Sequence, residues 1–126
     1  MQYKKFEDIP IWQILRKFVA NIYKLIDDNQ KLKKDYSICD QLKRATYSIS
    51  LNIAEGFERS SNKEFANFIN IAKGSAGEVR TILYILMDNN YIENKTAENL
   101  IEEIHKISTH LSNFRSYLLD NLHYKK

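Results

Sequence analysis

One proline and three glycines in 126 residues leave this chain short of turn formers. An all-β fold needs a turn every few residues, so the scarcity argues against one. A single cysteine, Cys39, excludes an intramolecular disulfide and a thiolate metal cluster. No run approaches the ~18 consecutive apolar residues of a membrane-crossing helix. The opening MQYKKFEDIP lacks the apolar core and small-residue cleavage site of a signal peptide, which points to the cytoplasm. There is no internal repeat and no low-complexity tract. A strong charge imbalance is also missing: the net charge of +3 does not by itself indicate a nucleic-acid partner.

What the chain does have is isoleucine, leucine, lysine, asparagine and glutamate, the mixture of long amphipathic helices, in a length suited to one domain over residues 1–126. The spacing predicts four helices. In the first, Asp8 caps the N-terminus and Pro10 sits in the first turn, where its missing N–H costs nothing. Trp12, Leu15, Val19, Ile22 and Ile26 form its stripe, which Ile11, Ile14, Phe18 and Leu25 widen beyond what one neighbouring helix covers. DDNQKLKKD reads as a polar connection. The second helix begins around Asp35 to Ser37, with Ser37 and Asp40 at capping-box spacing, and carries Ile38, Leu42, Ala45, Ile49, Ile53 and Phe57. Ser61 and Glu64 form a sharper capping box for the third, with Phe65, Phe68, Ile69, Ala72, Ala76, Val79, Ile82, Leu83 and Leu86. After the turn DNNYIENK, Thr96 caps a fourth with Leu100, Ile104, Ile107, Leu111, Phe114, Leu118 and Leu122. Short connections make this an all-α, up-down-up-down antiparallel four-helix bundle.

Polar residues interrupt this pattern in register. On the second helix Arg44, Ser48, Asn52, Glu55 and Arg59 lie four, four, three and four residues apart, one continuous stripe. On the third, Glu64, Asn67, Ile71, Ser75 and Glu78 make a comparable line. A hairpin turning at Ser60 and Ser61 places Arg59 beside Glu64, Ser48 beside Gly74 and Ser75, and Arg44 beside Glu78. Gly74 and Gly77 sit inside a helix at a cost of about 1 kcal/mol each relative to alanine. Their presence, and that of Gly56, is explained if a backbone must come close. The stripe therefore reads as an interface, within or between subunits, in preference to a solvated edge.

Candidate chemistry is thin. Glu102 and His105 have the Glu-x-x-His spacing of di-iron bundles, but the comparable pair, Asp120 and His123, falls on the same predicted helix and cannot face it. Cys39 lies near a helix N-terminus with no histidine placed beside it and reads as an inert thiol. Gly74 and Gly77 are not a phosphate-binding loop, since they lie within a helix. These observations point away from an enzyme, a metal centre or a cofactor. The basic residues are the remaining functional candidates: Lys31, Lys33, Lys34, Lys43, Lys63 and Lys73, with Arg44, offer positive surface for RNA or DNA. Against that stand solubilising lysines only, or a protein-binding adaptor or scaffold whose partner covers the apolar excess of the first helix.

The stretch QLKRATYSISLNIAEGFERSSNKEFANFINIAKGSAGEV, from Gln41 to Val79, closely resembles the signature of a bacterial four-helix-bundle family encoded within intervening sequences of large-subunit ribosomal RNA genes. FEDIPIWQ resembles that family's opening, and Tyr91–Ile92 its last turn. The matching positions are Arg44, Ser48, Asn52, Glu55, Gly56, Arg59, Glu64, Phe65, Phe68, Ala72, Gly74, Ser75 and Glu78. Ser50 stands where the family usually has proline, implying a straighter second helix; Ile82 replaces a common glutamine and Glu58 a frequent glycine. The resemblance implies a ring-like homopentamer without enzymatic activity. A relative, the accessory variability protein of diversity-generating retroelements, implies nucleic acid and a reverse transcriptase as partners, although that relative is more strongly basic.

Overall fold

The computed structural model describes residues 3–122. Its elements are a 3-10 turn at Phe6–Asp8 and five helices: α1 Pro10–Asp28, α2 Gln30–Lys33, α3 Tyr36–Phe57, α4 Asn62–Asp88 and α5 Asn94–Leu119. The four long helices run up, down, up and down. α4 is flanked by α3 and α5, while α1 lies mainly on α3 and more lightly against α5. The antiparallel four-helix bundle expected from the spacing is present.

Helix starts follow local stereochemistry. Ile9, not Asp8, is the N-cap of α1. Proline disfavours helical backbone in the residue before it, so Ile9 stays extended, and its carbonyl accepts the N–H groups of Trp12 and Gln13. Asp35 caps α3, its carboxylate accepting the Ile38 N–H at 3.3 Å, which leaves Ser37 and Asp40 inside the helix instead of forming the expected box. Ser61 caps α4 as expected, accepting the Glu64 N–H at 3.2 Å. α3 runs without interruption through Ser50.

Thr96 does not cap α5. The helix begins three residues earlier than that cap would place it, with Glu93 at the N-cap position. The preceding turn explains the shift. Asn90 adopts φ 58°, the Tyr91 N–H returns to the Leu86 carbonyl and the Asn90 N–H to that of Met87. That is the Schellman closure, and asparagine is one of the few non-glycine residues that tolerates its left-handed position.

The polar connection also hides an anchor. α1 stops at Asn29, whose amide donates to the Leu25 carbonyl at 2.7 Å. The single turn α2 then buries Leu32 completely. On α1 itself the buried stripe is Ile11, Leu15, Phe18, Ile22, Leu25 and Ile26, with Trp12 and Val19 half-buried. Of the residues that seemed surplus on sequence grounds, Ile11, Phe18 and Leu25 are spent inside the chain, and only Ile14 is exposed. Each fully buried side chain of this size contributes ~1.5–3 kcal/mol. The bundle end formed by α3, α4 and α5 is closed by aromatic edges: Phe57 against Phe65 at 6.1 Å and Phe65 against Phe114 at 5.4 Å.

Candidate association face and basic surface

The centre of the α3–α4 contact is polar but small. Ser48 Oγ and Ser75 Oγ lie 3.1 Å apart, and the Asn52 amide reaches back one turn to the Ser48 carbonyl at 2.8 Å and its hydroxyl at 3.2 Å. Ser75 is buried. Both hydroxyls and the amide thus have a hydrogen-bond partner, which offsets part of the cost of placing polar groups at a helix contact.

The charged ends of the stripe pair differently from the counted arrangement. Arg59 bonds Glu55, one turn back on its own helix, at 2.7 Å, and its guanidinium covers the Phe68 ring at 4.8 Å. Glu64 accepts from Ser60 at 3.3 Å. Glu78 accepts the Gln41 amide at 3.1 Å, while Arg44 remains exposed. Counting fixes the level of residues along a hairpin, but residues four apart in a helical run are close neighbours. That proximity wins for Arg59, whereas Glu78 still pairs across the hairpin, with Gln41 in place of Arg44. All these charges are exposed, so each pair is of the ~1 kcal/mol kind or weaker.

The glycines divide. A Cβ on buried Gly56 would lie 2.7 Å from both Phe65 Cδ1 and Phe68 Cβ, so α4 closes directly on the α3 backbone there. Gly74 and Gly77 have no such neighbour: an added Cβ meets nothing within 4 Å. The close approach expected at these two positions does not occur within the subunit. Ile71, Gly74, Glu78, Thr81 and Ile85 instead share the outward stripe of α4. Beside it, Tyr47 and Leu51 of α3 line a 350 Å3 groove with Arg44, Ser48, Ser75 and Glu78. Leu51 is 60% and Ile71 54% exposed, an apolar ridge bordering small residues.

The basic candidates do not form one patch. Lys31, Lys33 and Lys34 sit at the bundle end where α1 meets α3, whereas Lys63 opens α4 at the other end. α4 has 27 residues and is therefore roughly 40 Å long. Lys73 lies between, donating to Ser112 at 3.3 Å across α4 and α5. Lys31 is a structural cation, bonded to the Asn89 carbonyl at 3.1 Å and lying over the Tyr91 ring. Lys33 pairs with Asp27 at 3.0 Å. Lys43 covers Tyr23, and Lys34 and Lys63 are exposed.

The groups with chemical potential are held in place. Cys39 donates its thiol to the Leu32 carbonyl at 3.0 Å, and burial pushes its pKa up, outweighing the pull of Lys43. His105 Nδ1 accepts from Arg80 at 3.0 Å, because a guanidinium has only donors. Among the described residues no three His, Cys, Asp or Glu side chains converge as a metal site. His123, of the second Glu-x-x-His-like pair, lies outside the described residues. No helix among the described residues is long and apolar enough to cross a membrane.

A profile of the 23S rRNA-intervening sequence proteins matches residues 7–113. The chain belongs to that family. The intervening sequence protein fold is also found in a solved protein of unknown function from the S23 ribosomal protein family of Bacteroides thetaiotaomicron. The two superpose with a TM-score of 0.77 at 25% identity, over 83% of this chain and 97% of that one. No curated protein matches.

One set of contacts in this intervening sequence protein has no sequence signature. The Tyr91 hydroxyl donates to the α3-capping Asp35, which joins the α4–α5 turn, through Lys31 as well, to the start of α3. The turn composition and the resemblance of Tyr91–Ile92 to a family turn hinted at a role, and neither named the partner.

Proposed function

We propose that this protein is a non-enzymatic, self-associating bundle of the cytoplasm that binds RNA or DNA by charge. The observation carrying this reading is the α3–α4 face. Gly74, a helix-interior glycine with open space above it on the same outward stripe as exposed Ile71 and level with exposed Tyr47 and Leu51, is an unexplained cost in a lone subunit. A second copy seated there would use both features, by close backbone approach and by burial of the ridge. A pentamer is the assembly that the family resemblance implies. The immobilised Cys39 thiol and the Arg80-bound His105 favour a binding role over catalysis.

Dispersed lysines suit this arrangement better than a single-subunit site. Lys34 and Lys63, too far apart to act on one short stretch, would be repeated around an assembly, and weak phosphate contacts add by multivalency. Burial of Ile11, Phe18 and Leu25 removes the main reason to invoke a foreign partner for α1. A reverse transcriptase remains a partner by resemblance alone.

The test is a gel-shift titration of the intact protein with structured RNA and with duplex DNA at two salt concentrations, alongside its solution mass. The proposal expects a multiple of the subunit mass and an affinity that falls steeply with salt. A single-subunit mass, or no shift at low salt with either nucleic acid, overturns it.

A further inference from the structure

Between the C-terminal half of α1 and the N-terminal half of α3 runs a groove of 590 Å3 walled by two tyrosines, with Ile26 and Cys39 at its base. Tyr36, the first residue of α3, is 79% exposed. Tyr23 is 42% exposed, and Lys43 Nζ lies 5.2 Å from its ring centroid.

The groove's charges are balanced. Lys24, Lys33 and Lys43 face Asp27, Asp28 and Asp40. Two of the lysines are already paired, Lys24 with Asp28 at 3.2 Å and Lys33 with Asp27 at 3.0 Å. A lining of this kind offers no continuous cationic track for a phosphate backbone. What it offers is ring surface, one face capped by a cation, with Lys34 exposed on the adjoining turn. Stacking on tyrosine needs a base whose π-face is free, a condition met by single strands and not by bases already stacked in a duplex.

We infer that this groove stacks the unpaired bases of a single-stranded RNA or DNA segment on Tyr36 and on Tyr23 beside Lys43. The inference rests on the nucleic-acid reading above and gives that reading a substrate class. Backbone phosphates are left to the unpaired lysines outside the groove, so base stacking and salt dependence are separable.

The experiment is fluorescence anisotropy with a labelled unstructured oligonucleotide, and with the same strand annealed to its complement, at two salt concentrations. Tyr36→Ala, Tyr36→Phe and Tyr23→Ala are compared with the unaltered protein. The expected result is tighter binding of the single strand, a loss of about tenfold in Tyr36→Ala, retention in Tyr36→Phe, and an unchanged salt slope. Tyr23→Ala should weaken single-strand binding likewise while duplex binding stays the same. Single-strand affinity that is unchanged in both alanine variants, or lost equally for the duplex, overturns the groove and leaves the charge-driven reading standing. No binding of either probe to the unaltered protein overturns both.

Discussion

The Tyr91 hydroxyl donates to the Asp35 carboxylate at 2.7 Å, linking residues 56 positions apart. The same carboxylate caps α3 through the Ile38 N–H. One side chain thus ends the connection from α1 and fastens the α4–α5 turn onto it.

Removing Asp35 should therefore cost more than removing the tyrosine hydroxyl. Asp35→Ala loses the cap, worth about 1 kcal/mol, as well as the tyrosine bond, and should lower Tm by more than Tyr91→Phe. The bond to Asp35, with some burial, raises the Tyr91 pKa above the ordinary 10.0. The unfolded chain then loses this proton first, so stability is intact below pH 10 and declines as pH climbs toward the folded value. Thermal melts at alkaline pH should show a shallower decline for Tyr91→Phe.

The glycines should separate by context. Gly56→Ala drives a methyl into Phe65 and Phe68, and overpacking of this kind costs about 1–3 kcal/mol. Gly74→Ala and Gly77→Ala meet nothing within the subunit, so each should stabilise the isolated fold by up to about 1 kcal/mol. In chemical denaturation at low concentration the midpoint should fall for the first and rise for the other two.

Glu103 gives a pH-dependent effect of the same sign from a different cause. Burial raises its pKa above 4.5, with Lys106 opposing. The folded state therefore favours the protonated carboxyl, and stability is lost as pH rises through the folded pKa. Glu103→Gln removes that loss. Its Tm should exceed that of the unaltered protein at pH 7, and the gap should close near pH 4.

Glu78→Ala offers a check on the stripe. Counting along the sequence places it beside Arg44. With only an exposed Gln41 amide bonded to it, the subunit's own stability should change by about 0.5 kcal/mol or less. Any larger effect must come from association, and would appear as concentration-dependent melting.

The bundle was legible because apolar spacing is set by burial, and burial does not depend on which residue caps a helix. The faces through Leu42, Ile49 and Ile53, through Ile69, Ala76 and Leu83, and through Ile104 and Leu111 are all in the core. Helix starts were less legible, since they turn on one backbone angle: Pro10 forces Ile9 to be extended, and the left-handed Asn90 advances α5 past the expected Thr96. The Ser48–Ser75 contact could be counted along the hairpin, but the partner of Arg59 could not, because its long side chain takes Glu55 on its own helix, and Glu78 bonds Gln41 in place of Arg44. Nor could the lysines be placed. Lys31, Lys33 and Lys34 are adjacent in sequence, yet one holds a carbonyl, one holds an aspartate and one is exposed.

Replacing the exposed ridge tests the central claim most directly. Leu51→Glu with Ile71→Glu places two charges on the α3–α4 face without touching the core. Light scattering should give a multiple of the subunit mass for the unaltered protein and a single-subunit mass for the double variant, with the helical circular dichroism of both the same. An unaltered assembly in the double variant would contradict the account.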